Sequence, residues 1–282
     1  MNLSDVKTIE SILKPAGFDF KKSLGQNFLI NDAICPAMAE AACDKNTGVL
    51  EIGPGIGVLT VELSKAAKRV VAIELDERLR KILPKTLCNC DNVEVIFGDA
   101  MKLDLSKIIA EKFSDCQRVC VCANLPYYIT SPIIMMLLES RLPIENITVM
   151  VQKEAAQRLC AEVGSRESGA ITVAVNYYAE PEILFSVNKD SFLPPPKVDS
   201  AVIKLNVRKK PPVKVDNEKK FFALVKVAFA QRRKTFVNTV ANTTELSKDE
   251  IQNALLSLNL SPTIRSEQLK MEELAELSNI LK

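Results

Sequence analysis

Five short apolar runs rich in β-branched residues constrain this chain more than any other feature: Val49–Gly53, Arg69–Glu74, Val93–Phe97, Val119–Ala123 and Ile147–Val151. Each holds three to five apolar residues, and segments of roughly 15 to 25 residues with helical patterning separate them. Strands covered on both faces lose the apolar/polar alternation of a half-exposed sheet, and connections of that length carry crossover helices between parallel neighbours. The pattern predicts an α/β chain with a doubly wound, Rossmann-like sheet.

Beyond the sheet the pattern changes. Leu193-Pro-Pro-Pro-Lys197 precedes a strand-like run, Ala201–Val207, and Arg208-Lys-Lys-Pro-Pro212 follows it. Proline pairs fix extended backbone and interrupt helices, so the second patch is a natural linker. The boundary is expected near residue 208, with residues 1–207 as the sheet domain and 208–282 as a smaller all-helical C-terminal domain. There Phe221, Phe222, Val225 and Phe229 follow helical spacing, Ser247 and Glu250 stand at capping-box spacing before Ile251, and Leu269, Leu274, Leu277 and Leu281 line a last amphipathic segment.

Composition narrows the chemistry. The chain has no His, which excludes His-ligated zinc, Ser-His-Asp and Cys-His nucleophiles and an imidazole base. Trp is also absent, which leaves base stacking to Phe and Tyr. The eight cysteines are diluted in a long chain and several lie in apolar runs, as buried reduced thiols do; Cys88-Asn-Cys90 lacks zinc-knuckle spacing, and no structural metal is expected. Asp5, Lys7 and Glu10 interrupt the N-terminus, and no stretch reaches the roughly 18 apolar residues that span a bilayer, so a cytoplasmic protein with no membrane partner is expected. A monomer is the default expectation.

The ends of the first three runs carry the candidate site. Glu51-Ile-Gly53-Pro-Gly55-Ile-Gly57 closes the first run and opens a helix at Val58, where glycines permit a tight turn and close approach of a ligand to the backbone. The spacing is Gly-x-Gly-x-Gly, not the Gly-x-Gly-x-x-Gly that cradles a dinucleotide pyrophosphate. Glu74 ends the second run, where a carboxylate accepts from both ribose hydroxyls, and Asp99 follows the third, where it can accept from an adenine amino group. Gly53, Glu74 and Asp99 thus fall on one carboxyl edge and fit an adenosine cofactor without a pyrophosphate, S-adenosylmethionine. Taken singly, each residue also has a purely structural role as turn, surface charge or helix cap.

The fourth run ends in Asn124-Leu125-Pro126-Tyr127, which resembles the Asn/Asp-Pro-Pro-Tyr motif of amino-group methyltransferases. With Lys21-Lys-Ser-Leu-Gly-Gln-Asn-Phe-Leu29, Glu51-Ile-Gly-Pro-Gly55, Phe192-Leu-Pro-Pro-Pro-Lys-Val-Asp-Ser200 and Phe229-Ala-Gln-Arg-Arg-Lys-Thr235, the chain resembles the ribosomal RNA adenine dimethylases from residue 21 to 235. The resemblance implies an S-adenosylmethionine-dependent methyltransferase sheet with cofactor contacts at Asn27, Leu29, Gly53, Glu74, Asp99 and Asn124. Asn27 and Leu29 rest on the resemblance alone. It further implies that the Asn124 side-chain oxygen and a backbone carbonyl at Leu125 to Pro126 accept the two protons of an adenine amine, which aims the nitrogen lone pair at the methyl. Tyr127 stacks on the flipped base and Phe192 closes its other face. The implied substrate is a pair of adjacent adenosines in a hairpin loop near the 3′ end of small-subunit ribosomal RNA, each receiving two methyls on an assembling small ribosomal subunit.

Charge supports a polyanionic partner. Arg208 to Lys234 holds ten basic residues against two acidic ones, a local +8 in a chain whose net charge is +2. Gln231-Arg232-Arg233-Lys234 falls on a helix-forming stretch where Arg232, Arg233 and Lys234 are positioned to grip RNA phosphates, and Lys21 and Lys22 extend the same surface; an exposed basic helix face is the structural alternative. Three rival readings stay open. A resistance methyltransferase acting on large-subunit RNA shares the motifs but typically has Ser-Gln-Asn-Phe and Asn-Ile-Pro-Tyr where this chain has Gly25-Gln-Asn-Phe28 and Asn124-Leu-Pro-Tyr127. A non-catalytic RNA-binding assembly or transcription factor would not need the intact tetrad with Glu74 and Asp99. A nicotinamide dehydrogenase is disfavoured by the glycine spacing.

Overall fold

The computed structural model describes residues 2–14 and 27–281. Lys21 and Lys22 lie outside the described residues. The strands are β1 (Phe28–Leu29), β2 (Thr47–Ile52), β3 (Arg69–Glu74), β4 (Val93–Phe97), β5 (Arg118–Asn124), β6 (Asn146–Gln152), β7 (Ala179–Val187), β8 (Phe192–Leu193) and β9 (Ser200–Val207). The helices are α1 (Val6–Leu13), α2 (Ile34–Ala42), α3 (Val58–Ala66), α4 (Leu83–Thr86), α5 (Leu105–Lys112), α6 (Thr130–Glu139), α7 (Lys153–Leu159), α8 (Ala170–Tyr178), α9 (Glu218–Ala228), α10 (Phe236–Ala241), α11 (Lys248–Ser257) and α12 (Met271–Ile280).

The five apolar runs are β2 to β6, and they lie parallel in a seven-stranded sheet of order β4-β3-β2-β5-β6-β9-β7. Every residue of β2 is buried, as is Val119 to Ala123 of β5, which is why these runs carry no polar alternation. β4 sits at the sheet edge and is only half-buried. β9 runs antiparallel to β6, from Asn146 opposite Asn206 to Gln152 opposite Ser200. That reversal brings Ser200, the first residue of β9, to the carboxyl edge of the parallel strands. The order turns back between β2 and β5, the switch point at which such sheets bind ligands.

Two compact units divide the chain. One comprises residues 1–156 and 182–207, the other 157–181 and 208–282. The expected division at 208 describes one of these crossings; the segment 157–181, assigned from sequence to the sheet domain, belongs to the second unit. Aromatic packing explains it. Tyr177 and Tyr178 at the end of α8 lie 5.1 to 5.4 Å, ring centre to ring centre, within a cluster with Phe221 and Phe222 of α9, and both hydroxyls donate to Glu218 (3.3 and 2.8 Å). Apart from the first residues of β7, the second unit is built from helices. The capping box read at the start of α11 is present: Ser247 N donates to Glu250 Oε2 (2.8 Å) and Glu250 N to Ser247 Oγ (3.2 Å).

Candidate active site

A cavity of about 160 Å³ opens at the carboxyl edge of β2, β3, β4 and β5. Its walls include Asn27, Leu29, Gly53, Glu74, Asp99, Asn124, Leu125, Pro126, Tyr127 and Phe192, so the structure gathers every expected cofactor and catalytic residue in one place. A second hollow of about 270 Å³, near Leu3, Asp32 and Glu62, contains none of them.

The glycine turn forms the floor. Gly53 has φ +72°, and a Cβ there would meet nothing within 4 Å, so its backbone is open to the cavity. Gly57, which begins α3, has φ +94°, and a Cβ would stand 2.8 Å from Leu87 Cδ2. Only glycine satisfies both the left-handed conformation and that close approach. The turn is tied to β3: Gly53 N donates to the Ile73 carbonyl (2.9 Å) and Gly55 N to Glu74 Oε2 (3.1 Å).

Glu74 also accepts from Asp76 N through Oε1 (2.6 Å), so each of its oxygens holds one loop in place and keeps a lone pair for a ligand hydroxyl. Burial raises its pKa, and the hydrogen bonds from Asp76 and Gly55 oppose that shift. Asp99 accepts from Met101 N (3.0 Å) and pairs with Lys102 (3.5 Å), which orients the carboxylate at the rim. Beside these two acids, Leu75 and Met101 are 55% and 42% exposed and offer apolar surface suited to a flat aromatic ring.

At the lip of β5, the Asn124 side-chain amide makes no hydrogen bond among the described residues. The Pro126 carbonyl accepts from Ile129 N and Thr130 Oγ1, both at 3.1 Å. The Leu125 carbonyl receives no bond from a turn, loop or side chain among the described residues. Of the two backbone carbonyls expected from sequence, the one at Leu125 is therefore the one without such a bond, next to the unengaged Asn124 side chain. Tyr127 is held by its hydroxyl, 2.6 Å from Ser200 Oγ, and burial raises its pKa against that bond.

Asn27 and Leu29 reach the site through β1, which pairs antiparallel with β8, Leu29 opposite Phe192 and Phe28 opposite Leu193. Leu29 and Phe192 are 2% and 3% exposed, packed in the same core cluster while lining the cavity wall. Glu51 is the residue sequence reasoning passed over. It is 1% exposed, it lines the cavity, and its Oε2 has no hydrogen-bond partner. Burial pushes its pKa up to about 8; the neighbouring Thr60 hydroxyl opposes the shift, although neither Thr60 Oγ1 nor Glu51 Oε2 makes a bond of good geometry. Its signals were an acid inside an otherwise apolar strand and its place at the head of the Glu51-Ile-Gly-Pro-Gly55 motif, where only the glycines were given a role. Arg232, Arg233 and Lys234 are exposed, but not on a helix: they lie in the turn between α9 and α10, because α9 ends at Ala228 with Phe229 as its cap and Thr235 caps α10 by accepting from Asn238 N.

A parallel sheet in this strand order, with β9 antiparallel against β6 and with Gly, Glu, Asp and Asn at successive strand ends, defines a Rossmann-like methyltransferase. The family model for ribosomal RNA adenine dimethylase matches residues 17–282, and the chain belongs to that family. It is 49% identical over 276 residues to ribosomal RNA small subunit methyltransferase A of Bacillus pumilus, a match covering 96% of this chain and 94% of the relative. Among solved structures it is similar to a dimethyladenosine transferase from Plasmodium falciparum (TM-score 0.71, 29% identity, covering 89% of this chain and 95% of that one). The 23S rRNA methyltransferase ErmE is also similar (TM-score 0.68, 26% identity, 90% and 99% coverage).

Proposed function

We propose that the protein transfers methyl groups from S-adenosylmethionine to N6 of two adjacent adenosines in a hairpin loop near the 3′ end of small-subunit ribosomal RNA, two to each, during small-subunit assembly. The observation that carries this reading is the pair of unengaged acceptors, Asn124 Oδ1 and the Leu125 carbonyl, on the wall of the cavity that Gly53, Glu74 and Asp99 also line. The cleft fits the cofactor on its own terms. The open floor at Gly53, the lone pairs of Glu74 and the apolar surfaces of Leu75 and Met101 suit a nucleoside, and the orphaned Glu51 carboxyl suits a cationic amino-acid end.

When bound, S-adenosylmethionine supplies an electrophilic methyl on a sulfonium. The protein's part is orientation. Asn124 and Leu125 accept both amine protons, which withdraws the N6 lone pair from the ring and points it at the methyl carbon. Once methylated, the amine would be an ammonium acidic enough to give up its proton to water, so the chain's residues would need only to hold the amine in place. No imidazole is needed, in keeping with a chain that has no His. Tyr127, fixed through Ser200, and Phe192 provide the aromatic faces that offset the few kcal/mol needed to extrude a base. Holding the reactants in line supplies most of the rate.

Arg232, Arg233 and Lys234 position the RNA through its phosphates, with Lys21 and Lys22 extending that role. The 49% identity to a small-subunit enzyme, against 26% to a 23S enzyme, favours the small subunit. Action in the cytoplasm follows from that substrate; among the described residues no helix is long and apolar enough to cross a membrane. The test gives methyl-labelled S-adenosylmethionine and undermethylated small subunits to the protein and to Asn124→Ala. Labelled N6,N6-dimethyladenine with the first and none with the second is expected; equal labelling by both would remove Asn124 from the chemistry.

A further inference from the structure

The turn at residues 162–168 is built as part of the same surface as the Arg232 turn. Arg232 Nη2 donates to the backbone carbonyl of Arg166 (2.7 Å). The turn itself is fixed by Ser165 N to Glu162 O (3.2 Å), by Ser168 N to Ser165 O (3.0 Å) and by Gly164 at φ +94°. Its other side lies against the stretch before α12, where a Cβ on Gly164 would stand 3.5 Å from Lys270 Cγ. That stretch is in turn laced to the Arg232 turn, through Phe236 N to Ile264 O (2.8 Å) and Ser266 Oγ to Ala228 O (2.6 Å).

The charges on these three segments are unbalanced and unpaired. Arg166, Arg232, Arg233, Lys234, Arg265 and Lys270 are all exposed, and among the described residues none forms an ion pair with a carboxylate. Glu162, Glu167 and Glu267 share the segments and pair with none of the six. One N–H of Arg232 is spent on the Arg166 carbonyl, which fixes the direction of its guanidinium and leaves its remaining donors free. The hydrogen bond ties the Arg232 guanidinium to the backbone of Arg166, so both arginines stand on joined segments without a carboxylate partner among the described residues, where an anion could take both. The planar donor forks of arginine match phosphate oxygens.

We infer that Arg166 and Arg232 clamp a single phosphate of the RNA backbone, so that the turn at 162–168 is an RNA-binding element. The inference rests on the RNA-methyltransferase reading. It also gives a use to the passage of residues 157–181 into the second unit, since that passage brings Arg166 to Arg232.

The experiment measures binding of the full protein to small ribosomal subunits lacking adenine dimethylation across a salt series, for the wild type, Arg166→Gln, Arg232→Gln and the double variant. Arg166→Gln keeps the carbonyl that receives Arg232 and removes only the guanidinium. Each single change is expected to weaken binding about tenfold, as loss of a charge-assisted hydrogen bond does, and to make the logarithmic salt slope shallower by about one unit. The double variant should also lose about tenfold, because both side chains serve one phosphate. Unchanged affinity for Arg166→Gln, or a multiplicative loss in the double variant, would overturn the shared clamp. Failure of the wild type to bind in a salt-dependent way would instead overturn the RNA reading on which the clamp rests.

Discussion

In the proposed reaction Asn124 is the residue on which the chemistry turns, because its side-chain amide makes no hydrogen bond among the described residues and its oxygen is one of the two acceptors proposed for the target amine. Asn124→Ala should lower turnover by about 10²-fold or more, the scale of losing one preorganised hydrogen-bonding group, with an unchanged unfolding temperature. Glu51 gives a separate, pH-dependent prediction. Its carboxyl sits near 4.5 in an unfolded chain and about 8 in the fold, so the folded state holds the extra proton. Its contribution is fully favourable below the unfolded value and is lost as pH rises from there through 8, where a buried charge must form. Thermal melts of the cofactor-free protein should therefore fall more steeply over that window for the wild type than for Glu51→Gln; parallel curves would show that Glu51 does not carry the dependence. Gly53, Glu74, Asp99 and Asn124 were legible in the sequence because successive parallel strands end on one edge, which turns spacing into geometry. Asn27 and Leu29 were not, since a pairing with Phe192 across the whole sheet domain delivers them, and no local pattern announces that. Ser200 was visible only as part of a motif, and its hold on Tyr127 exists only once β9 has reversed against β6.

The elements follow the physics of their ends as much as of their middles. α3 begins at a glycine that must be left-handed, and Gly57→Ala should destabilise the protein by about 1 to 3 kcal/mol in chemical denaturation, through backbone strain and the clash with Leu87; a loss below a few tenths would show that the turn relaxes freely. The buried runs that became β2, β3, β5 and β6 were readable, because burial on both faces forces continuous apolar sequence. β7 is not legible in the sequence, since it lies at the open edge of the sheet and carries exposed Glu180, Glu182 and Ser186 between its inward residues. The Arg232 turn shows the opposite failure. Its residues favour helix, but the chain breaks there because Phe229 closes α9 and the Thr235 side chain accepts from the Asn238 amide at the start of α10.

At the level of the whole molecule, the two units are each assembled from separated stretches of chain, and only the linker at Arg208-Lys-Lys-Pro-Pro212 was marked in the sequence. The other crossings carry no proline or glycine cluster; aromatic packing around Tyr177, Tyr178, Phe221 and Phe222 decides them. The charge excess of Arg208 to Lys234 belongs to the second unit, and its use is testable there. Replacing Arg232, Arg233 and Lys234 by Gln should weaken binding to small subunits and flatten the salt dependence by about one slope unit for each phosphate no longer neutralised. An unchanged slope would mean that the RNA is gripped elsewhere. The most direct test of the central claim supplies small and large ribosomal subunits, both from cells without adenine dimethylation, together with the protein and labelled S-adenosylmethionine, and maps the label to nucleotides. The account predicts dimethyladenine at two adjacent positions near the 3′ end of the small-subunit RNA and none in the large subunit. Label in large-subunit RNA, or tight particle binding with no label at all, would contradict it.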